Sequence, residues 1–449
     1  MTSAGSTSSS TYSKLPQLLL ALILSVSAFV QLTVVSRTIV DVPLRADAGD
    51  YFSYAYNIEH YGVYSSARTW AAPPSAVAPT PDSLRPPGYP FFLSLVGTPE
   101  PTEIFLRHVS FIQAGLGIVS VLLTYLIAAQ FLGKPLALVV ALLAAINPFL
   151  TMISTYLLTE SLFLFLLLAA VFTLLKASQG AGWPLYALTG VLWGLCALVR
   201  PTAQFLPLLL LLVVLALPSF RRYASSAVLA FACFAAVLAP WAIRNQSLQN
   251  SGSGLMVNTL AHGSYPNFMY DNRPETFGFP YRFDPDIQAK TRDLPSILTH
   301  IAGRFRAEPI AYSKWYLFGK PYFFLSLQNV QSFDVLIYPT LRNPYYEDGR
   351  FAAMRLVSLT LHWPMIILGI TGTALLVLRP SWLCLDRKAA VAAGLVAAVI
   401  VYAIAFHMVV APFPRYSIPF RPLIFAMAAL PILSGWRALR AKYPRTGHG

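Results

Sequence analysis

Two aspartates are candidate catalytic groups because they lie just after the first long apolar run of the chain. Asp47 and Asp50 precede Tyr51 in a polar stretch that ends with the string from Arg85 to Pro90. A carboxylate beside a low-dielectric slab can have its pKa raised toward the range of a general base. Apolar and aromatic residues recur at helical spacing over 50–61, so the aspartates equally fit the N-cap and capping box of a helix lying on the membrane surface.

The string that closes this stretch reads Arg-Pro-Pro-Gly-Tyr-Pro, from Arg85 to Pro90. Its prolines and glycine predict a rigid, non-helical loop. The loop either returns the chain to the membrane or forms one wall of a polar pocket. In the second case Arg85 contributes a permanent planar cation, and Tyr51 and Tyr89 line the same pocket.

Glu160 is a third candidate acid, at the outer end of the predicted fourth span. An ionisable group this close to hydrocarbon is a functional hypothesis by default. The alternative is an acid in the first turn of a helix, favoured by the helix dipole, with Thr159 as the cap. The residues alone do not separate these two interpretations.

Three arginines sit at matching depths on the predicted outer side: Arg200, Arg244 and Arg415. Each fits a side chain that reaches lipid headgroups, with Trp241 and Tyr416 in the aromatic belt. Three cations on the side that the positive-inside rule disfavours also fit a site for a lipid-linked phosphate, which arginine binds bidentately.

A long polar segment, 243–354, adds His262, Lys314 and Lys320. The two lysines fall in an aromatic run, Ile310–Phe324, that is typical of an interfacial segment. His262 is either a metal ligand or a hydrogen-bonded structural residue, and no His, Asp or Glu cluster has clear metal-ligand spacing. The sequence has no phosphate-binding loop, dinucleotide fingerprint or nucleophile elbow, which argues against nucleotide chemistry on a soluble domain.

The elements that position these residues are membrane helices. The chain has 449 residues, of which 56% are hydrophobic and 11% charged, and its mean hydropathy is +0.59. Soluble domains carry about 25% charged residues, so we predict an all-α, polytopic membrane protein with about ten spans. Ten apolar runs have spanning length: 15–35, 106–130, 135–153, 158–176, 184–199, 203–218, 224–242, 356–378, 389–408 and 419–436.

The net charge of +14 is explained by topology rather than by nucleic acid, because the basic residues fall in the short loops of one side. These residues are Lys14, Lys134, Lys176, Arg221, Arg222, Arg379, Arg387, Lys388, Arg437, Arg440, Lys442 and Arg445, opposed by Asp386. The pattern predicts cytoplasmic termini in the inner (plasma) membrane. Two large loops with amphipathic helices, 36–104 and 243–354, then lie on the periplasmic or extracytoplasmic side.

This topology divides the chain into three predicted parts. Residues 1–242 form an N-terminal transmembrane module that contains the first catalytic loop, residues 243–354 form an extracytoplasmic region, and residues 355–449 form the C-terminal transmembrane helices. The large loops on one side favour an enzyme that faces outward.

The motifs together resemble the GT-C superfamily of integral-membrane glycosyltransferases. The nearest group is the bacterial relatives of dolichyl-phosphate-mannose protein mannosyltransferases and lipid A aminoarabinose transferases. The resemblance rests on Asp47 to Tyr51, Pro86 to Pro90, Thr159 to Leu162, Leu198 to Pro201, Pro240-Trp241 with Arg244-Asn245, and Arg415-Tyr416 with Pro419. The family usually has an acid pair three residues before an aromatic residue. Here Ala48 replaces the second acid, so either Asp47 or Asp50 is the candidate base.

The resemblance implies an inverting transfer of a sugar from a polyprenyl-phosphate donor to an envelope lipid, glycan or protein acceptor. Asp47 is the favoured base, and Glu160 would orient the acceptor or bind a divalent cation. The donor phosphate would be held by residues from the set Arg200, Arg244, Arg415, Lys314 and Lys320. The substrate pocket would include Tyr51, Arg85, Tyr89, His262 and Tyr416.

Two other functions remain open. A lipid-linked oligosaccharide polymerase or ligase would use a pyrophosphate-linked donor. A lipid-linked sugar transporter or flippase would show paired broken helices and internal repeats, which we do not find in the sequence.

Overall fold

A computed structural model of the chain describes residues 8–73, 76–180, 182–248, 254–328, 330 and 332–442. Helices make up most of these residues, which confirms the predicted all-α membrane protein. One short antiparallel sheet, β1 with β2, is an exception to the all-α prediction.

The first part of the chain forms membrane helices interrupted by the first outer loop. In order they are α1 (Ser8–Arg37), β1 (Ile39–Val40), α2 (Ala46–Tyr61), α3 (Gly88–Val96), α4 (Glu103–Ala128), α5 (Lys134–Ala145), α6 (Pro148–Met152), α7 (Glu160–Ser178), α8 (Trp183–Val199), α9 (Leu206–Ala216) and α10 (Ala224–Gln246).

The second part begins with short helices of the second outer loop and ends with long membrane helices. They are α11 (Gly254–Gly263), α12 (Ile287–Lys290), α13 (Leu294–Ala307), α14 (Pro309–Lys314), α15 (Lys320–Leu325), β2 (Thr340–Arg342), α16 (Pro344–Glu347), α17 (Gly349–Leu378), α18 (Pro380–Leu383), α19 (Arg387–Val409) and α20 (Arg421–Lys442).

Seven helical regions of the described chain are long and apolar enough to cross a membrane; they contain α1, α4, α7, α10, α17, α19 and α20. The predicted span 135–153 is instead a pair of helical segments, α5 and residues 148–155, bent by 54°. The predicted span 203–218 contains the end of the 3₁₀ turn Pro201–Ala203 and α9, which begins at Leu206 with Pro207 in its first turn. All ten predicted spans therefore fall on helices, but α9, with 11 residues, is too short to cross alone.

Small residues set the spacing of the helices that carry the site. A Cβ added at Gly190 of α8 would overlap the backbone of Ala230 in α10, and such close approach is typical of helix pairs in membranes. Helix α8 also packs against α7. The ends of α7 and α8 therefore lie together, next to the outer loops.

The two outer loops meet above the helices. Ile39 of β1 pairs with Arg342 of β2, and Arg37 Nη1 lies 3.2 Å from Asp348 Oδ2. The start of the first outer loop is thus fixed to the end of the second. This contact brings residues near position 40 close to residues near position 340.

Three local predictions about the first outer loop are wrong. Helix α2 begins at Ala46 with Arg45 as its N-cap, so Asp47 lies inside the first turn and is not a cap. The aromatic face of α2 does not lie on the membrane surface, because Phe52 packs against Phe105 of α4. The string after Arg85 is helical from Gly88 onward, where α3 begins.

Candidate active site

The first turn of α2 presents two carboxylates on one face, since residues three apart are neighbours on a helix. Arg85 binds both of them: its Nη2 lies 2.7 Å from Asp47 Oδ1 and 2.8 Å from Asp50 Oδ2. Asp50 also faces Arg68, with 3.4 Å between Asp50 Oδ1 and Arg68 Nη2. Arg85 therefore links the two candidate bases.

The path of the chain before α3 fixes Arg85. Its carbonyl accepts a hydrogen bond of 2.9 Å from the Tyr64 hydroxyl. Three residues later Gly88 touches α8, where a Cβ would lie 2.8 Å from the carbonyl oxygen of Leu198. The glycine thus allows α3 to sit directly against the end of α8, which leads into Arg200.

Arg415, near the C-terminal end of the chain, contacts Asp47 of the first outer loop. It lies in the 3₁₀ segment Pro414–Phe420, and its Nη2 donates a hydrogen bond to Asp47 Oδ2. Its Nε lies 3.9 Å from Glu160 Oε1. Asp47 is therefore held between two arginines, one on each oxygen.

Glu160 and Arg200 complete the set at the outer ends of α7 and α8. Arg200 Nη1 lies 3.0 Å from Glu160 Oε1, and the guanidinium stacks over the Tyr416 ring at 4.4 Å. Six side chains thus alternate in charge, and we call them the charge chain: Asp50, Arg85, Asp47, Arg415, Glu160 and Arg200. It has equal numbers of acids and arginines.

The charge chain keeps Asp47 ionised. Burial would raise the pKa of Asp47, but the guanidiniums of Arg415 and Arg85 outweigh burial and hold that pKa well below its usual value. Burial would likewise lower the pKa of Arg85, and the carboxylate of Asp47 raises it instead. Asp47 is therefore a poor base while both arginines contact it.

A cavity of about 220 Å³ opens beside Asp47. Its polar and aromatic lining comes from both outer loops and from the segment before α20, including Asp47, Arg85, His262, Tyr338, Arg415 and Tyr416. Asp50, Glu160 and Arg200 belong to the charge chain but do not line this cavity. Asp47 is the carboxylate that a ligand in the cavity would meet.

Tyr51 and Tyr89 lie beneath the carboxylates. Their rings pack edge to face with centroids 5.3 Å apart, and the Tyr89 hydroxyl donates a hydrogen bond of 2.9 Å to Gln113 Oε1. Gln113 Nε2 in turn donates to the Tyr156 carbonyl at 2.9 Å. Neither tyrosine lines the cavity, so the prediction that they form its wall is wrong: they pack behind Asp47 and Arg85, where Gln113 fixes Tyr89. A buried amide midway along an apolar run was the sequence signal for Gln113.

Arg244 does not belong to the charge chain, although the sequence groups it with Arg200 and Arg415. Its Nη1 donates to the Asp82 carbonyl at 2.8 Å and its Nη2 to the Tyr64 carbonyl at 3.3 Å. Its guanidinium lies over the Tyr64 and Trp241 rings. The structure places Arg244 in the support of the first outer loop, outside the lining of the cavity.

The two lysines also lie away from Asp47. Lys320 is completely buried, and its Nζ donates to the Val409 carbonyl at 3.0 Å. Burial lowers its pKa well below the usual value, so the predicted interfacial position is wrong for this residue. Lys314 borders a second, polar cavity of about 830 Å³ within the second outer loop.

His262 lines the cavity, with its Nε2 2.9 Å from the Gly278 carbonyl oxygen. Burial lowers the pKa of His262 to about 4, so the ring is neutral near pH 7 and Nε2 donates its proton to that carbonyl. Among the described residues no group of three or more His, Cys, Asp or Glu side chains is arranged to hold a metal ion. Arginines contact both oxygens of Asp47 and Oε1 of Glu160, and the Thr159 hydroxyl donates to Glu160 Oε2, so these acids do not form the oxygen cluster that divalent cations prefer.

Part of the chain matches a known protein family. Residues 85–243 match the sequence profile of the family described as dolichyl-phosphate-mannose-protein mannosyltransferase. The match includes three members of the charge chain: Arg85, Glu160 and Arg200. The predicted resemblance to the GT-C superfamily is confirmed. No curated protein sequence matches the chain.

Two solved membrane proteins are among the structures similar to this chain. The oligosaccharyltransferase of Archaeoglobus fulgidus, tethered to an acceptor peptide with the NVT sequon, is 16% identical, with a TM-score of 0.50 over 96% of this chain and 51% of its own. ArnT from Cupriavidus metallidurans, bound to undecaprenyl phosphate, is 13% identical, with a TM-score of 0.38 over 95% of this chain and 78% of its own. The chain spans about half the length of the archaeal oligosaccharyltransferases that it matches.

Proposed function

We propose that the chain is an inverting glycosyltransferase that moves a sugar from a polyprenyl-phosphate donor to an envelope lipid, glycan or protein acceptor. The observation that carries this proposal is the position of Asp47, which faces the cavity with an arginine on each oxygen. A base next to permanent cations is the combination that transfer from a phosphate leaving group requires. The family match over 85–243 supports the same chemistry.

The reaction starts with an acceptor hydroxyl or amine beside Asp47. The acceptor atom attacks the anomeric carbon and its proton passes to the Asp47 carboxylate. The bond from the anomeric carbon to the phosphate oxygen breaks, and the polyprenyl phosphate leaves with the electron pair. Attack opposite to the leaving group inverts the anomeric centre.

Binding of the donor would make Asp47 a stronger base. A phosphate that enters the cavity competes with Asp47 for Arg415 and Arg85, because arginine binds phosphate bidentately. Losing one guanidinium raises the pKa of Asp47 toward that of a useful base. The arginine that moves to the phosphate then stabilises the charge that develops on the leaving group, which is often the largest catalytic effect.

The remaining residues of the charge chain have supporting roles in this proposal. Asp50 holds the second side of Arg85, and Glu160 with Arg200 fixes Arg415 from the membrane side. The basic short loops support cytoplasmic termini and an extracytoplasmic site in the plasma membrane. No step needs a divalent cation.

The decisive experiment measures sugar transfer by the purified full-length protein in vitro. Synthetic undecaprenyl-phosphate sugars are supplied with envelope extract as acceptor, and mass spectrometry follows loss of donor. We expect Asp47→Asn to lower the rate by roughly 10²–10⁴, the usual contribution of a general base. Asp50→Asn should lower it less, because Asp50 touches Arg85 and not the cavity.

Glu103→Gln is the matched control. This acid lies in the first turn of α4 and pairs with Arg107 at its surface, so transfer should be unchanged. The proposal fails if folded Asp47→Asn and Asp50→Asn both keep wild-type rates. It also fails if only pyrophosphate-linked donors are consumed, because that outcome identifies a polymerase or ligase.

A further inference from the structure

A third cavity opens at the opposite end of the membrane helices from Asp47. It has a volume of about 270 Å³ and lies between α7, α8, α9, α10 and α19. Its walls are largely apolar, with Trp193, Leu210 and Phe231 among them. We call it the inner cavity. Three of its walls belong to α8, α9 and α10, which also present apolar side chains outward.

The distance from the candidate active site follows from α7. This helix runs from Glu160, in the charge chain, to Ser178, which lines the inner cavity. At about 1.5 Å per residue the two ends are roughly 27 Å apart, close to the thickness of a bilayer core. The inner cavity therefore serves the other leaflet and is separate from the donor site.

Two arginines lie at this end of the helices and line the cavity. Arg222 precedes α10 and Arg387 begins α19, and both side chains are exposed. Neither forms an ion pair with a described residue, and no acid lines the cavity. The adjacent Asp386 is used as an N-cap, since its Oδ1 accepts from the Ala389 amide at 2.8 Å.

A buried donor lies on the α8 wall of the cavity. Trp193 is only 3% exposed, and its indole N–H has no hydrogen-bond acceptor among the described residues. Trp193 lies about two helical turns after Tyr186, which also lines the cavity. The α8 wall therefore keeps a buried donor that the described residues leave unsatisfied, at a cost of roughly 1–3 kcal/mol.

We propose that the inner cavity binds an anionic phospholipid of the cytoplasmic leaflet. The phosphate lies between Arg222 and Arg387, and the upper part of one acyl chain enters between α8, α9 and α10. The apolar walls fit an acyl chain, and the two unpaired cations select an anionic headgroup over a zwitterionic one.

Native mass spectrometry of the delipidated full-length protein tests this site without any need for catalysis. Phosphatidylglycerol, phosphatidylethanolamine and undecaprenyl phosphate are added separately. We expect retention of phosphatidylglycerol, and a loss of affinity of roughly 30-fold in the double variant Arg222→Gln with Arg387→Gln, since each basic residue contributes about fivefold near a lipid phosphate.

Two further variants make the test specific. Arg221→Gln with Lys388→Gln removes the same charge from the same loops without touching the cavity lining, so it should bind phosphatidylglycerol like the wild type. Ala227→Phe fills the cavity and keeps both arginines, and it should weaken binding. The proposal is overturned if phosphatidylethanolamine binds equally well, if both double variants lose affinity equally, or if undecaprenyl phosphate displaces phosphatidylglycerol at equal concentration.

Discussion

For single residues, the presence of a counter-ion determines whether a buried arginine stabilises the fold. Arg200 and Arg421 are both almost completely buried arginines at the outer ends of helices. Arg200 neutralises Glu160 at 3.0 Å. Arg421 forms no ion pair with a described residue, leaves its Nε and Nη1 without hydrogen-bond partners, and lies 4.0 Å over the Phe149 ring.

This difference predicts opposite effects of the same substitution. Arg200→Met leaves the Glu160 carboxylate buried without its cation, so we expect a loss of about 3–5 kcal/mol of stability. Arg421→Met removes a buried charge that has no counter-ion, so the change should be neutral or stabilising. Thermal unfolding of both purified variants in one detergent compares them directly. Equal destabilisation would contradict the assignment of Glu160 as the partner that matters.

At the scale of elements, the active site depends on how closely α3 approaches α8. Gly88 is the contact point, where an added Cβ would lie 2.8 Å from the backbone of Leu198. Gly88→Ala therefore forces α3 away and moves Arg85 relative to Arg200. A displacement near 1 Å can lower a rate by about 10²-fold, and we expect a loss of that order in the transfer assay.

Gly115→Ala is the control for this substitution. Gly115 lies in α4 and an added Cβ meets nothing within 4 Å, so transfer should be unchanged and the helix should gain about 0.5–1 kcal/mol. A Gly88→Ala variant with full activity would show that α3 can move without disturbing Arg85.

The elements themselves were predictable because apolar runs of spanning length have few alternatives in a membrane. All ten predicted spans fall on helices, and the bend in 135–153 follows from Asn147-Pro148. The start of α2 was not predictable, because Asp47 satisfies the local rules for a cap and its real partners are distant. Similarly, Arg244 and Arg415 share an outer-side position, yet only tertiary contacts separate a loop support from a charge-chain residue.

At the scale of the whole molecule, the candidate site joins the two ends of the chain. Asp47 and Arg415 are separated by 368 residues, and β1 with β2 holds the intervening loops together. Such long-range ionic contacts make the assembled outer region sensitive to pH. The carboxylates that cause this pH dependence lie outside the membrane-spanning helices.

Three aspartates set its direction. Burial would raise the pKa of Asp47, Asp82 and Asp284, but their partners lower each one: Arg415 and Arg85 for Asp47, Ser66 and Tyr54 for Asp82, and Lys290 and Tyr265 for Asp284. Because the folded pKa values lie below the unfolded value of about 3.9, their stabilisation is complete above about pH 5 and is lost as the pH falls further.

We therefore expect the melting temperature to be level between about pH 5 and 7 and to fall steeply below pH 4, with a total loss on the order of 2 kcal/mol or more. Thermal unfolding of the full-length protein in one detergent at constant ionic strength measures this profile. Asp47→Asn removes one of these titrating groups, so its stability should start lower at pH 7 and decline less on acidification. A variant profile parallel to that of the wild type would show that Asp47 is not held by Arg85 and Arg415 in solution, and the assembled charge chain would then be wrong.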